Sequence, residues 1–404
     1  MIKEGQYTFI AGRGPVRPFL GKYAAKRADV FEVIERRFAA AGLAGLRYRP
    51  LRLELEITTK CNDSCPSCGM GALPLASGIT MNPEQRARLV DEFDAIGLPS
   101  AAVTGGEPFV AVHALMPLIR ALQDRSIDIS KLTTNGVWGT KRRCERTFDQ
   151  LEKARFFDNR LFVPLIMLSV GEQTMPLEWL ARILHHAVTH YSDQELNVAV
   201  SSLASPDARE HKVYELMEVY ERAYGDFPHD RVHSTMRVYL DNDRLPEQQK
   251  VTRPGETTVK RWMDRCFDCF APTVGTYILP SGLVKQDGRV YACASFDVPE
   301  SLGFGNLFID GLRTIMARAN QDGYLRRIAD GGGLKGLHGV VPAQFTEETT
   351  SGGFCASCSL LSGEYREING LPAAATLPVI APEALTARLR TQTPALPARE
   401  ALSQ

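Results

Sequence analysis

The stretch "LRLELEITTKCNDSCPSCGMG" (residues 51–71) joins an apolar strand pattern to three closely spaced cysteines. The largely apolar run "LRLELEI" predicts a strand. Cys61, Cys65 and Cys68 then place three sulfurs within eight residues. Structural zinc sites usually have four protein ligands and a closed coordination sphere. Either a fourth ligand lies elsewhere in the chain, or one corner of a metal site is left open.

The composition indicates a globular protein with no strong overall charge. The 404 residues are enough for a large domain and a small one. Basic and acidic residues number 47 each, so bulk charge does not draw the chain to nucleic acid or to an anionic membrane. No segment approaches the roughly 20 apolar residues of a membrane span, and none has a signal-peptide pattern. We therefore expect a cytoplasmic protein with no nucleic-acid or membrane partner.

The cysteines favour metal binding over disulfide formation. Nine is an odd number, and eight of the nine fall in closely spaced groups. In a chain expected to be cytoplasmic, grouped cysteines are more often metal ligands than disulfide partners.

From residue 51 to about residue 240, strand patterns alternate with helix patterns. Six segments read as strands: "LRLELEI", "SAAVTGGEP", "DISKLTTNG", "LFVPLIMLSVG", "ELNVAVSSL" and "RVHSTMRVYL". Such alternation implies a parallel sheet, because each strand has to return through a crossover helix. The sequence therefore predicts an α/β fold, a partial (β/α)6 TIM-like barrel followed by a small C-terminal cysteine-rich α+β domain.

We expect five segments along the chain. An N-terminal extension with an amphipathic helix covers residues 1–50, and the barrel covers residues 51–240. A linker covers 241–261, the cysteine-rich domain covers 262–365, and a tail rich in proline and alanine covers 366–404.

A second motif closes the second predicted strand. In "VTGGEP" (residues 103–108), glycines let backbone approach a ligand, and a glutamate offers an acceptor to an ammonium group. Together with the Cys-x3-Cys-x2-Cys loop after the first strand, Gly105, Gly106, Glu107 and Pro108 resemble the motifs of the radical S-adenosylmethionine (radical SAM) superfamily. From the cysteines alone, a zinc or other structural site is the alternative.

The resemblance implies a SAM-binding 4Fe-4S cluster on Cys61, Cys65 and Cys68, with its fourth iron open to SAM. Residues 105–108 would bind the SAM amino group. An external electron donor such as flavodoxin or ferredoxin would supply the electron that cleaves SAM to a 5′-deoxyadenosyl radical.

Weaker matches follow the next two strands. Asn135 in "TTNG" resembles a family element but equally suits a plain turn. Ser169 in "LSVGE" matches a serine that contacts SAM in relatives, whereas Glu172 is displaced from the family's acidic position. Ser67 stands where relatives have an aromatic residue near the adenine, so adenine packing has to come from elsewhere.

Five cysteines form a second group: Cys266, Cys269, Cys293, Cys355 and Cys358. Two Cys-x2-Cys pairs also fit a zinc ribbon. With Gly288 five residues before Cys293, the group resembles the SPASM/Twitch extensions of radical SAM enzymes, whose short Twitch form implies one auxiliary 4Fe-4S cluster. The spacing fits best with these ligands: Cys269, Cys293, Cys355 and Cys358.

Cys266 is then surplus, unless it replaces Cys269 as a ligand. A thiol beside a radical can return a hydrogen atom to carbon, so Cys266 is a candidate catalytic hydrogen donor. A buried structural cysteine is the alternative, and it is also the interpretation of Cys144.

The resemblance implies hydrogen-atom abstraction from a small polar natural-product precursor, an amino sugar or an amino acid, giving oxidation or epimerisation. The alternative is crosslinking or epimerisation of a ribosomally made precursor peptide. Peptide-modifying relatives often carry a leader-binding domain longer than the 50 residues that precede the barrel here, which favours the small molecule. A non-enzymatic iron-sulfur carrier or sensor would leave the Gly-Gly-Glu-Pro element without a role.

Overall fold

The structure, a computed structural model, describes residues 26, 29–46, 48–65, 73–170, 175–202, 206–235, 281–292, 300–331, 340, 362–371 and 375. Outside these residues lie Cys68, the five cysteines of the predicted C-terminal domain, the predicted linker and most of the predicted tail. No described helix is both long enough and apolar enough to cross a membrane.

Nine described strands form one sheet, and two shorter ones pair separately. The strands of the large sheet are β1 (Arg52–Glu56), β4 (Ser100–Thr104), β5 (Asp128–Thr134), β6 (Leu165–Val170), β7 (Asn197–Ser202), β8 (Val232–Thr235), β9 (Ser281–Val284), β10 (Arg289–Tyr291) and β11 (Gly303–Asn306). The separate pair is β2 (Lys60–Cys61) with β3 (Leu73–Pro74).

The helices lie between the strands and in the C-terminal part of the chain. Those of the described residues are α1 (Val30–Ala40), α2 (Pro83–Ala95), α3 (Val112–Asp124), α4 (Lys141–Lys153), α5 (Leu177–His190), α6 (Pro206–Tyr224), α7 (Leu307–Asp310), α8 (Leu312–Gln321) and α9 (Gly323–Gly331). Short 3-10 turns cover Pro108–Ala111 and Glu300–Leu302, and a further helix covers 362–368.

The bounds of α2 follow from its sequence. The side chain of Asn82 accepts a hydrogen bond from the Gln85 N–H at 2.8 Å, and the Gln85 side chain accepts one from the Asn82 N–H at 2.9 Å. Proline at the first helical position needs no N–H partner there, so Pro83 also favours a start at this point. The helix ends before Gly97, whose positive φ of 67° suits a residue without a Cβ.

Six parallel strands in chain order form the large unit of the fold. The order across the sheet is β1-β4-β5-β6-β7-β8, and each neighbouring pair is parallel. Among the described strands β8 is a free edge, so the sheet is open rather than closed into a ring. The predicted α/β fold with a partial (β/α)6 barrel is confirmed.

A C-terminal hairpin continues this same sheet beyond β1. Strand β9 pairs in parallel with β1, from Arg52 opposite Ser281 to Leu55 opposite Val284. Strands β10 and β11 then follow in antiparallel pairing. From the sequence a separate C-terminal domain is expected, and this pairing is not, because nothing local in the sequence relates residues more than 200 positions apart.

The two faces of the sheet differ in chemistry. The main hydrophobic core lies between the sheet and its helices and includes Leu53 and Leu55 of β1. On the opposite, inner face, Leu165, Met167 and Ala199 form a small separate cluster. Side chains on the inner face therefore lie outside the main hydrophobic core, so polar and charged residues can be placed there.

A buried charge cluster occupies the inner face beside these apolar residues. One carboxylate oxygen of Glu54 accepts from the Arg52 guanidinium at 2.7 Å and from the Lys131 ammonium at 2.8 Å. All three side chains are buried. Buried charges of this kind persist only when they are paired and hydrogen-bonded, as these are.

Candidate active site at the carboxyl end of the sheet

The segment that runs from Ile57 through Cys61 and Cys65, called the cysteine loop below, begins directly after β1. Cys61 lies on the short strand β2, and Cys65 follows four residues later; both are half-buried. Cys68 lies outside the described residues. Among the described residues, no three His, Cys, Asp or Glu side chains come close enough together to hold a metal ion.

Cys144 lies apart from this loop, inside α4. Its thiol is buried, and burial raises its pKa to about 12. A thiol that stays protonated in this way is a poor nucleophile and a poor metal ligand. The structure agrees with the interpretation of Cys144 as a buried structural cysteine.

The Gly-Gly-Glu-Pro loop packs directly on the cysteine loop. The Gly106 N–H donates to the Thr58 carbonyl at 2.8 Å, and the Glu107 N–H donates to the Lys60 carbonyl at 2.8 Å. A Cβ on Gly106 would clash with the Lys60 carbonyl oxygen. Gly105 has a φ of 142°, which also favours glycine. The close approach that these glycines allow here is to the cysteine loop itself.

The Glu107 carboxylate joins the loops after β4 and β5. It accepts hydrogen bonds from the Phe109 N–H at 3.0 Å, the Thr134 hydroxyl at 2.9 Å and the Asn135 N–H at 2.6 Å. The residue is only 1% exposed. Burial raises the pKa of Glu107 to about 7, and the three hydrogen bonds oppose that rise. The carboxylate expected to face an ammonium group is thus held by three protein donors.

Two residues that the sequence analysis did not single out complete this junction. The Thr134 hydroxyl also accepts from the Gly136 N–H at 3.0 Å and from the Trp138 indole N–H at 3.2 Å. The Trp138 ring lies 4.9 Å from the ring of Phe109, centroid to centroid. Thr134 is part of "TTNG" and is the last residue of β5, so its position at the end of a strand could have indicated a role in the site.

Asn135 serves both as a turn residue and as a contact to the cysteine loop. Its side-chain oxygen accepts from the Val137 N–H at 3.1 Å, as in a turn. Its amide nitrogen donates to the Asn62 side chain at 3.2 Å and lies 4.0 Å from the Cys61 sulfur. Asn135 is thus a turn residue in the structure, and its side chain also contacts the cysteine loop.

The remaining predicted positions lie at the same end of the sheet or outside the described residues. Pro108 is buried and opens the 3-10 turn after β4. Ser169 stands near the end of β6, opposite Ser201, and shares the inner face with Met167 because it is two residues farther along the strand. Glu172 lies outside the described residues.

The second cysteine group lies outside the described residues: Cys266, Cys269, Cys293, Cys355 and Cys358. The chain just before one of them is nevertheless firmly held. The Tyr48 hydroxyl donates to the Ala292 carbonyl at 2.7 Å, and the backbone of Tyr48 exchanges two hydrogen bonds with the Asn320 side chain. The N-terminal segment thus ties the C-terminal hairpin to the barrel.

Two of the three cysteines that would hold an iron-sulfur cluster lie among the described residues. Cys61 and Cys65 present half-buried thiols on one loop, with the Asn135 amide beside one sulfur. Thiolates and nearby hydrogen-bond donors are what such clusters use. The loop lies at the carboxyl end of the parallel strands, where barrel enzymes place their active sites.

Curated sequence relatives of the chain are named GTP 3′,8-cyclase. The protein from Parasynechococcus marenigrum is 32% identical over 117 residues, which cover 26% of this chain and 33% of the relative. The protein from Synechocystis sp. is 23% identical over 179 residues, 44% of this chain and 52% of the relative. The chain thus spans about a third to a half of these relatives. No protein-family model matches the chain.

A solved structure aligns over most of the chain at low similarity. The crystal structure of BtrN in complex with AdoMet and 2-DOIA covers 71% of this chain and 89% of that chain, with 11% identity and a TM-score of 0.43.

The motif loops and the sequence relatives lead to the same family. The cysteine loop, the Gly-Gly-Glu-Pro loop and the Asn135 turn meet at one end of a six-stranded parallel sheet. The curated relatives are radical SAM enzymes. The resemblance to the radical SAM superfamily that the sequence motifs indicate is thereby confirmed.

Proposed function

We propose that this protein reductively cleaves SAM and abstracts a hydrogen atom from a small polar natural-product precursor, an amino sugar or an amino acid, giving oxidation or epimerisation. One observation carries the proposal. The loops after β1, β4 and β5 are hydrogen-bonded to one another, so the cysteine loop and the Gly-Gly-Glu-Pro loop form one continuous site.

In this proposal Cys61, Cys65 and Cys68 hold the 4Fe-4S cluster that binds SAM. When bound, the cluster and SAM would supply the radical chemistry that removes a hydrogen atom from the substrate. The protein itself would orient the reacting groups and exclude competing reactions, as proteins usually do when a cofactor supplies the chemistry. An external donor such as flavodoxin or ferredoxin supplies the electron.

The chain's own residues fix the geometry of this site. Gly106 and Glu107 tie the SAM-binding loop to the backbone of the cysteine loop at two points, Thr58 and Lys60. Buried hydrogen bonds of this kind resist displacement, because an unpaired donor or acceptor would be left behind. The amino group of SAM, bound at residues 105–108, would thus lie at a set position relative to the sulfurs.

The inner face of the sheet supplies polar groups below this site. Asn135 and Ser169 lie at the ends of β5 and β6, and we propose that both contact SAM. Ser201, directly opposite Ser169, adds a second hydroxyl to the same face. A polar rim of this kind suits a substrate with several hydroxyl or amino groups.

We further propose one auxiliary 4Fe-4S cluster of the Twitch type, with these ligands: Cys269, Cys293, Cys355 and Cys358. What supports it is the hairpin β9–β10, which continues the barrel sheet and ends two residues before Cys293. The Tyr48 contact to Ala292 fixes the start of that segment. Such a cluster would accept the electron of a substrate radical or close the site.

Anaerobic reconstitution and reduction of the full chain with SAM test the proposal. We expect 5′-deoxyadenosine from the wild type, none from Cys61→Ala, and unchanged formation by the matched control Cys144→Ala. Iron and sulfide counts should reach about eight per chain, four for each cluster. A wild type that makes no 5′-deoxyadenosine would sink the enzyme proposal, and about four irons with one zinc would overturn the auxiliary cluster.

Cys266 is distinguished from Cys269 by the same counts. If Cys266 is the surplus thiol, Cys266→Ala keeps both clusters, whereas Cys269→Ala loses about four irons. Once a substrate is known, a Cys266→Ala variant with unchanged turnover and product stereochemistry would dismiss it as the hydrogen donor. A precursor peptide stays the alternative substrate, and no described contact favours it.

A further inference from the structure

Glu56 is a buried carboxylate on the inner face, at the carboxyl end of β1. It follows Glu54 by two residues, so its side chain leaves the strand on the same face. That face carries the ion pairs of Glu54 with Arg52 and Lys131. Glu56 lies one step nearer to the cysteine loop, where the strand ends.

The Glu56 carboxylate lacks the partners that the neighbouring carboxylates have. It is 2% exposed, and among the described residues its Oε1 has no hydrogen-bond donor. Glu54 and Glu107, by contrast, accept two and three bonds. Burying an acceptor without a partner costs free energy, so such a group in a folded protein calls for a specific explanation.

The C-terminal hairpin surrounds Glu56 with charge but does not neutralise it. Strand β9 pairs with β1 up to Leu55, which brings the hairpin turn alongside Glu56. Burial, and to a smaller extent the charge of Asp287, raise the pKa of Glu56 to about 7, although the Lys285 and Arg289 cations of this hairpin oppose the rise. Arg289 is paired with Asp287 and Glu300 instead.

Lys285, the other cation of this hairpin, also has a contact elsewhere. The Lys285 ammonium lies 5.4 Å from the centroid of the Tyr291 ring, in a cation-π contact. Among the described residues, the contacts of these two cations are with Asp287, Glu300 and Tyr291 rather than with Glu56. Its neighbour across β4 is Thr104, which adds a hydroxyl rather than a charge.

We infer that Glu56 accepts a hydrogen bond from an amino group of the substrate and so determines specificity for amine-bearing molecules. The inference rests on the function proposed above. An ammonium group supplies donors and an opposite charge to a buried carboxylate, and such bonds are about twice as strong as neutral ones. A phosphate at the same position would meet repulsion in a low-dielectric site. The substrate class is therefore an amino sugar or other small amine, not a phosphorylated sugar.

The test uses the reconstituted, SAM-loaded full chain and three matched probes: glucosamine, glucose and glucose 6-phosphate. Binding is read from thermal-shift titrations of the wild type, Glu56→Gln, and the control Glu145→Gln, an exposed position on α4. We expect glucosamine to bind the wild type best. Glu56→Gln should weaken the binding of glucosamine on the order of tenfold or more and leave the binding of glucose unchanged. The control Glu145→Gln should bind all three probes as the wild type does.

Two results would overturn the inference: a wild type that does not prefer glucosamine, or a Glu56→Gln variant that still prefers it. Glu56→Asp, which keeps the charge but shortens the side chain, gives a second variant if Glu56→Gln does not fold. Glu56→Asp should bind glucosamine more weakly than the wild type does, but it should still bind glucosamine more tightly than glucose 6-phosphate.

A second readout separates this inference from the proposed function. SAM affinity by equilibrium dialysis, and 5′-deoxyadenosine formed without sugar, should be the same in Glu56→Gln and wild type. Loss of either would place Glu56 in the SAM site and overturn its role toward substrate. If the wild type makes no 5′-deoxyadenosine but shows the expected glucosamine preference, the proposed function fails and the role of Glu56 stands.

Discussion

The backbone N–H of Asn135 donates a 2.6 Å hydrogen bond to the carboxylate of Glu107. This bond joins the ends of β5 and β4, and the same glutamate also holds Thr134 and Phe109. Because Asn135 in turn contacts Asn62 of the cysteine loop, one buried carboxylate governs how three loops fit together. Glu107 of the Gly-Gly-Glu-Pro loop therefore holds the loops of the site together through its hydrogen bonds.

Replacing Glu107 with glutamine should lower the free energy of unfolding by about 1–3 kcal/mol. The amide keeps one acceptor oxygen but turns an NH2 group toward an N–H donor, which leaves a buried donor unpaired. The altered junction should also weaken SAM binding. Denaturant unfolding and equilibrium dialysis with SAM measure the two effects.

Glu145→Gln is the matched control for this variant, since Glu145 is exposed on α4. It should stay within about 0.5 kcal/mol of wild type, as surface substitutions usually do. A Glu107→Gln variant that is as stable as Glu145→Gln and binds SAM normally would contradict the central role given to this carboxylate.

Replacing Gly106 with alanine should damage the cysteine loop specifically. The added methyl group would clash with the Lys60 carbonyl, which is backbone and cannot move aside without shifting the loop that carries Cys61. We expect a loss of about 1–3 kcal/mol, as for overpacked sites, and a lower iron content after reconstitution.

Gly363→Ala provides the comparison, because a Cβ there meets no atom within 4 Å and the residue lies in the helix at 362–368. Alanine is favoured over glycine in a helix, so this change should be neutral or stabilising. Equal iron content in the two variants would show that the contact between Gly106 and Lys60 does not matter to the cluster.

The arrangement of the barrel was predictable because its signals are local. The helix at Pro83–Ala95 is marked by Asn82, Pro83, Gln85 and Gly97, and the strand patterns alternate with helices. Predicted strands extended beyond the observed ones, as in "LFVPLIMLSVG", where β6 begins only after Pro164. Proline donates no ladder hydrogen bond, so it often marks such a boundary.

The site could be predicted only in part. Motif positions at strand ends indicated which loops would meet, since carboxyl ends of parallel strands share one edge. The partners of Glu107 could not be predicted, because they depend on how neighbouring loops pack. Arg52, Glu54 and Glu56 alternate with leucines in "LRLELEI", and this alternation was an available signal for a charged inner face that the sequence analysis did not use.

Removing the Asn135 amide should lower the reduction potential of the proposed SAM-binding cluster. The amide nitrogen lies 4.0 Å from the Cys61 sulfur, and hydrogen bonds to cluster sulfurs stabilise the more negative reduced state. Asn135→Asp removes this donor but keeps an oxygen for the Val137 N–H, whereas Asn135→Ala removes both. Potentiometric titration should show a lower potential in both variants, and only Asn135→Ala should also lose stability. Unchanged potentials would contradict the contact.

The stability of the folded protein should depend on pH through Glu56. The pKa of Glu56 is raised to about 7 in the folded chain, chiefly by burial, from an ordinary value of 4.5. Between these pH values the folded state holds a proton that the unfolded chain has lost. The free energy of unfolding therefore falls as pH rises from about 4.5 to 7 and levels off above that.

Glu56→Gln should remove this part of the pH dependence. Because 2.5 pH units correspond to at most about 3 kcal/mol, the decline between pH 5 and 8 should be smaller in the variant by up to that amount. Glu107 also has a raised pKa, but it is present in both proteins and cancels in the comparison. Denaturant unfolding of wild type, Glu56→Gln and Glu145→Gln at several pH values measures the difference. If the Glu56→Gln and Glu145→Gln curves stay parallel from pH 5 to 8, Glu56 is not the buried, proton-holding carboxylate that its surroundings indicate.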